Sequence, residues 1–116
     1  MEQPLTVSRI VDFGESSSLA QWTDLATGDT GAPFPQSSWS DRSVQVSGTF
    51  GAGGTLSLEG SNDGTNWALL RDPFGADLAV TAAGIFAVME ITRFVRPHVT
   101  AGDGATLLDV ALLARR

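Results

Sequence analysis

The sequence contains no cysteine and no lysine, and a single histidine, His98, among its 116 residues. Without thiols the chain forms no disulfide, and thiolate metal sites and cysteine nucleophiles are excluded. One histidine leaves no second imidazole to share a metal, and no triad of nucleophile, base and acid is expected. Following Arg96-Pro97, His98 reads as a strand or surface residue. No apolar run approaches the roughly 18 residues of a membrane span. The start Met1-Glu2-Gln3-Pro4 lacks the basic and apolar stretches of a secretory signal. The expected setting is a cytoplasm, with later release inside a particle left open.

What is present points to one compact, turn-rich domain. Thirteen acidic residues against seven arginines give a formal net charge of −6. The resulting field repels phosphate backbones and anionic bilayers, so neither nucleic acid nor membrane is an expected partner. Arginine as the only cation reflects composition bias, although it also pairs with carboxylates in a planar, bidentate way. The hydrophobic content of 42% and mean hydropathy of +0.08 are ordinary for a globular protein. Thirteen glycines and five prolines imply frequent turns.

Alternation of apolar side chains supplies the fold class. Leu5, Val7, Val11 and Phe13 alternate, which predicts a half-buried strand over residues 5–13 broken at Gly14. Residues 19–25 predict a second short strand with Trp22 and Leu25 available for burial. Residues 26–42 hold two glycines, two prolines and small polar residues, and read as one long loop displaying Phe34 and Trp39.

Val44, Val46 and Phe50 share one strand face and Gln45, Ser47 and Thr49 the other. The Gly51-Ala52-Gly53-Gly54 turn and the alternating Leu56 and Leu58 complete a hairpin over residues 43–60. Asp63-Gly64 marks a further tight turn, and residues 67–70 resume extended structure. Asp72-Pro73-Phe74-Gly75 is a turn signal, followed by a short strand at Leu78 and Val80.

Residues 85–91 are apolar on both faces. A strand is preferred to a helix there, because β-branched and aromatic residues and Pro97 follow. After the turn at Ala101-Gly102-Asp103-Gly104, Thr106, Leu108, Val110 and Leu112 alternate in a last strand. About eight extended segments with turns roughly every 8 to 12 residues predict an all-β fold, a single antiparallel β-sandwich of jelly-roll type. Residues 1–26 form an N-terminal strand or arm segment and residues 27–116 the sandwich, within one domain overall.

Motifs for chemistry are sparse. Asp63, Asp72 and Asp103 sit beside glycine or proline, where a carboxylate caps a turn. The oxygen-rich Ser61-Asn62-Asp63-Gly64-Thr65-Asn66 stretch lacks the acidic spacing of a calcium loop. Gly51-Ala52-Gly53-Gly54 lacks the lysine and helix of a phosphate-binding loop. No enzyme activity, cofactor or metal is expected.

The runs Ser40-Asp41-Arg42-Ser43-Val44-Gln45-Val46-Ser47-Gly48-Thr49-Phe50-Gly51, Leu58-Glu59-Gly60-Ser61-Asn62-Asp63-Gly64-Thr65-Asn66-Trp67 and Arg96-Pro97-His98-Val99-Thr100-Ala101-Gly102-Asp103-Gly104 resemble small virion proteins of tailed bacteriophages, over roughly residues 27–116. The resemblance implies a capsid decoration or cement protein that binds the outside of a shell as a dimer or trimer. Its implied partners are the major capsid protein and further copies of itself, and its implied location is the capsid surface after assembly in the host cytoplasm. A tail or connector component and a carbohydrate-binding module that uses Trp22, Trp39 or Trp67 are the alternatives.

The residues expected to meet partners are Leu5, Val7 and Ile10 of the N-terminal segment, Phe34, Trp39 and Arg42 of the loop, and Leu107 and Leu113. The last two lie on the face of the final strand that should be wet, and small domains without disulfides gain stability by pairing.

Overall fold

The computed structural model describes residues 1–12 and 15–116. Among them there is no helix, and the chain is built from two packed β-sheets. The elements are β1 (Glu2–Gln3), β2 (Thr6–Asp12), β3 (Glu15–Ala26), β4 (Thr30–Gly31), β5 (Phe34–Pro35), β6 (Asp41–Thr49), β7 (Thr55–Ser61), β8 (Ala68–Leu69), β9 (Ala79–Val80), β10 (Gly84–Ala87), β11 (Phe94–Ala101) and β12 (Leu107–Arg115). The predicted strand end at Phe13 and the break at Gly14 lie outside the described residues.

One sheet, here sheet A, runs β1-β4-β11-β7-β8, with β5 also paired to β11 and β9 to β7. Sheet B runs β10-β6-β12-β3-β2. The antiparallel pairs are nested along the chain: β3 with β12, β4 and β5 with β11, β6 with β10, and β7 with β8 and β9. The expected all-β sandwich is therefore present. The finer count differs, because two predicted strands are fragments of two residues and the short β1, β4 and β5 add to the number.

Two predicted boundaries change. The stretch 26–42 is not one open loop, since β4 and β5 inside it add onto β11 through Thr30 opposite His98 and Phe34 opposite Val95. The predicted strand over 85–91 ends at Ala87. Residues 88–93 then cross from sheet B to sheet A. Of the N-terminal segment expected as a strand or arm, β3 is an inner strand of sheet B between β12 and β2.

The core forms because even-numbered residues of β6 and β12 face inward together, with Val44, Val46, Leu108, Val110 and Leu112 almost fully buried. They meet Leu56 and Leu58 of β7 and Val95 and Val99 of β11. Trp22 and Leu25 are three residues apart, a spacing that sends strand side chains to opposite faces, yet both are buried. A β-bulge resolves this: the β3–β12 register slips between Leu108 and Val110, and Asp24 takes a left-handed φ of 57°. Asp109 Oδ1 accepts the Asp24 N–H at 3.0 Å.

Trp22 spans the two layers. Its Nε1 donates to the Ala32 carbonyl at 2.9 Å, and Gly31 lies so close that a Cβ there would sit 2.5 Å from the indole and 2.7 Å from Pro97. The turn aspartates act as the sequence predicts. Asp63 Oδ1 accepts from Ser61 Oγ and from the N–H groups of Thr65 and Asn66. Asp72 Oδ1 accepts from Phe74 and Ala76. Asp103 accepts from Ala52 and Ala105, which ties two turns together.

Candidate functional site

Over residues 6–10 and 17–21 and the strands beyond them, the outer face of sheet B is nearly free of charge. Its cross-strand rows read Ile85, Gln45, Ala111, Gln21, Thr6 and, one step along, Ala87, Ser43, Leu113, Leu19, Ser8. Charge appears at the margins, in Asp109 and in the exposed Asp41–Arg115 pair at 3.3 Å. Two shallow concavities lie here, one of about 250 Å³ lined by Asp41, Arg42, Ser43, Leu113 and Arg115. The other, of about 200 Å³, is lined by Gln21, Gln45, Ser47, Asp109 and their neighbours. Neither brings together an acid, a base and a nucleophile.

Each lateral edge of sheet B exposes apolar side chains. On one side, β12 last meets β3 where Ala114 faces Ser18, whereas β2 continues to pair with β3 as far as Asp12 opposite Glu15. The β2–β3 hairpin therefore leaves the sandwich as a two-stranded ribbon. Val11 is exposed and Ile10 half-buried on the ribbon, and Val7 is exposed on the same edge where β12 still flanks β3.

On the other side, β10 carries Ile85, which is 67% exposed, and the crossing segment beyond it exposes Met89 and Ile91. Phe74, 96% exposed, tips the turn between β8 and β9. This segment is anchored by Glu90, whose oxygens accept from the Arg71 backbone N–H at 2.7 Å and from Arg71 Nε at 2.8 Å. Burial pushes the Glu90 carboxyl up, but these bonds and the arginine charge hold it below its usual range.

Sheet A presents a polar and aromatic cluster instead. Glu59 on β7 accepts from Arg96 Nε at 3.0 Å, and its other oxygen lies 3.1 Å from His98 Nδ1. The Arg96 guanidinium stacks over the Trp67 ring at 4.1 Å. Ser57 sits directly across the ladder from His98, but its hydroxyl is shared with Thr100 Oγ1 at 3.1 Å. The chain of groups from carboxylate to imidazole thus stops before any nucleophile. Among the described residues, no cluster of acidic or histidine side chains is arranged to hold a metal.

The residues expected at partner contacts separate into two sets. Val7, Ile10, Leu107 and Leu113 lie on exposed edges or on the outer face of sheet B, and Leu107 is 46% exposed. Leu5 is half-buried against the core. Of the three loop residues, Phe34 and Arg42 are corrected to buried positions, and Trp39 is half-buried. Phe34 is buried because β5 adds to β11 and turns the ring inward. Trp39 packs against the core, with the Arg116 guanidinium 4.9 Å over its ring.

Arg42 is 3% exposed, and its guanidinium donates to Gln36 Oε1 and to the carbonyls of Val88, Met89 and Glu90. An even-numbered position on β6 faces the interior, so a contact role for Arg42 is not available on this surface. Sequence reasoning missed Val11, Phe74, Ile85, Met89 and Ile91. The signal was present in the stretch 85–91, whose second apolar face had no predicted partner inside the domain. Compared with known protein families, curated proteins and solved structures, the chain matches none.

Proposed function

We propose that this protein is a non-catalytic assembly component that links neighbouring subunits, and that its setting is the outer surface of a phage capsid. The observation that carries the reading is the pair of apolar edges on opposite sides of sheet B. Four strand spacings place them roughly 19 Å apart. A small domain with two separate apolar grips is suited to bridging two neighbours, and many copies acting together convert weak contacts into a firm hold on a shell. The phage setting rests on the likeness of the three sequence runs to virion proteins.

The nested pairing supports a jelly roll as the finer fold. Eight stations in chain order (β3, β4 with β5, β6, β7, β8 with β9, β10, β11, β12) pair first with last and so on inward. Rolling that long hairpin places alternate pairs in opposite sheets, in the orders 1-8-3-6 and 2-7-4-5.

The tryptophans argue against the sugar-binding alternative. A glycan platform needs flat, open ring faces, whereas Trp22 is buried and Trp39 and Trp67 each have a guanidinium over the ring. Purified protein mixed with shells that lack it should co-sediment saturably and raise the temperature at which the shell disrupts. Absence of binding to such shells would sink the capsid reading, and binding on a glycan array would replace it.

A further inference from the structure

Among the described residues, β2 is the one long open strand edge of the molecule. The opposite edge of sheet B, β10, has four residues, and the outermost strands of sheet A, β1 and β8, have two each. Natural edges are protected by brevity, proline, charged side chains or a bulge. The seven residues of β2 include no proline and their register with β3 is unbroken, so of these devices only charge, at Arg9 and Asp12, guards the edge. Such an edge presents a row of unpaired N–H and C=O groups, and here it is flanked by exposed Val7 and Val11.

We infer that β2 pairs antiparallel with β2 of a second copy of this chain, joining two five-stranded sheets into one of ten strands. Strand sense favours this occupant over β10 of a neighbour. Within sheet B every adjacent pair is antiparallel, so β10 and β2 run the same way. A ring built edge to edge would need a parallel pair, less stable per residue and only four residues long. A two-fold axis normal to the sheet gives an antiparallel pair with like faces aligned.

Charge and shape select the register. Alignment of like faces requires the axis to pass through a residue, and the central positions of β2 are Ser8, Arg9 and Ile10. At Arg9 it would set two guanidinium groups directly opposite each other, which is destabilising. At Ser8 it would draw Leu5 and the sandwich bodies toward the contact.

At Ile10 the pairing is centred on the projecting ribbon, with Ser8 opposite Asp12 at its ends. Ile10 then faces its own copy on the outer side, and Arg9 lies opposite Val11 on the other, where its aliphatic stem covers the valine. A contact this small makes the dimer concentration-dependent. It leaves the β10 side, with Ile85, Met89 and Ile91, free for another partner, so each dimer carries two such grips.

Because the chain has no cysteine, Ile10→Cys introduces a single thiol at the two-fold. Facing residues of an antiparallel pair have Cα atoms about 4.5–5.5 Å apart, inside the disulfide range. Mild oxidation should crosslink Ile10→Cys into a dimer nearly completely, and should leave Ile85→Cys uncrosslinked. Sedimentation equilibrium of the unmodified protein should show a monomer–dimer equilibrium that Val11→Lys shifts to monomer, with unfolding midpoints unchanged when measured at concentrations where the unmodified protein is monomeric.

A monomer at every concentration tested would overturn the inference. So would a dimer untouched by Val11→Lys, or crosslinking at Ile85→Cys in preference to Ile10→Cys. Shell binding is a separate readout: a strictly monomeric protein that still binds shells overturns the pairing and leaves the assembly role standing.

Discussion

Trp22 and Arg42 solve one problem by opposite means. Both project inward from sheet B, and both secure a segment on its way to sheet A. Trp22 fastens the β4 region by filling space, with a single hydrogen bond to Ala32 and a glycine that admits the ring. Arg42 fastens the 88–93 crossing by donating to three backbone carbonyls and to Gln36, with little apolar contribution of its own. Its Nε has no partner, and burial lowers its pKa against the raising influence of Asp41 and Glu90. The first anchor depends on volume and the second on the count of acceptors left dry without it.

The sharpest way to separate them is to truncate each. Trp22→Ala should lose roughly 4 kcal/mol, the scale of a large aromatic removed from a packed core. That loss should appear as a lower urea midpoint with near-native spectra in the remaining baseline. Arg42→Ala should lose about 3 kcal/mol, because several buried carbonyls lose their donor. Arg42→Lys should recover only part of it, since one ammonium cannot reach the same fan of acceptors. If Arg42→Met proved as stable as the parent protein in the same titration, the hydrogen bonds would be dispensable and the two anchors would be alike.

Acid should act elsewhere. Asp63 and Asp103 are held below the usual carboxylate range by backbone N–H groups, from Asn66 and Thr65 in one case and Ala52 and Ala105 in the other. Burial pushes Asp29 up, but bonds from Ala26 and Gln3 outweigh it, and its net shift is also downward. A carboxyl whose folded value is depressed stabilises the fold above its unfolded value, near 4. That contribution disappears as pH falls through and below it. The thermal midpoint should therefore decline from about pH 5 to pH 2. Asp63→Asn should flatten the decline, while Trp22 and Arg42 variants keep its shape.

The smallest effect is expected from Phe74→Ser, within about 0.5 kcal/mol of the parent, since the ring is almost wholly exposed. A larger loss in thermal melts would mean that the turn tip packs on something in the free protein.

The contrast also explains what could be read from the sequence. Trp22 was legible as a core residue because size and apolarity carry their own prediction, and the strands around Val44, Leu56 and Leu108 were legible from alternation. Arg42 was not. Its charge and its neighbours Asp41 and Ser43 suggest a wet surface, and only the parity of β6, fixed by pairing with the distant β12, turns it inward.

Phe34 misleads for a similar reason, since its burial depends on β5 joining β11 some sixty residues later. The apolar edges were half legible: Val7 and Ile10 could be named, but that Ile10 lies on a projecting ribbon depends on where β12 stops.

The position of β12 bears on how the protein is made. Sheet B is closed by a strand inserted between β3 and β6, so its centre stays open until residues 107–115 clear the ribosome. Until then, β3 and β6 are two exposed edges in search of a ladder. Completion of the sheet thus waits for that segment to slot home, and a chain shortened before it would emerge with its middle unpaired and prone to clump.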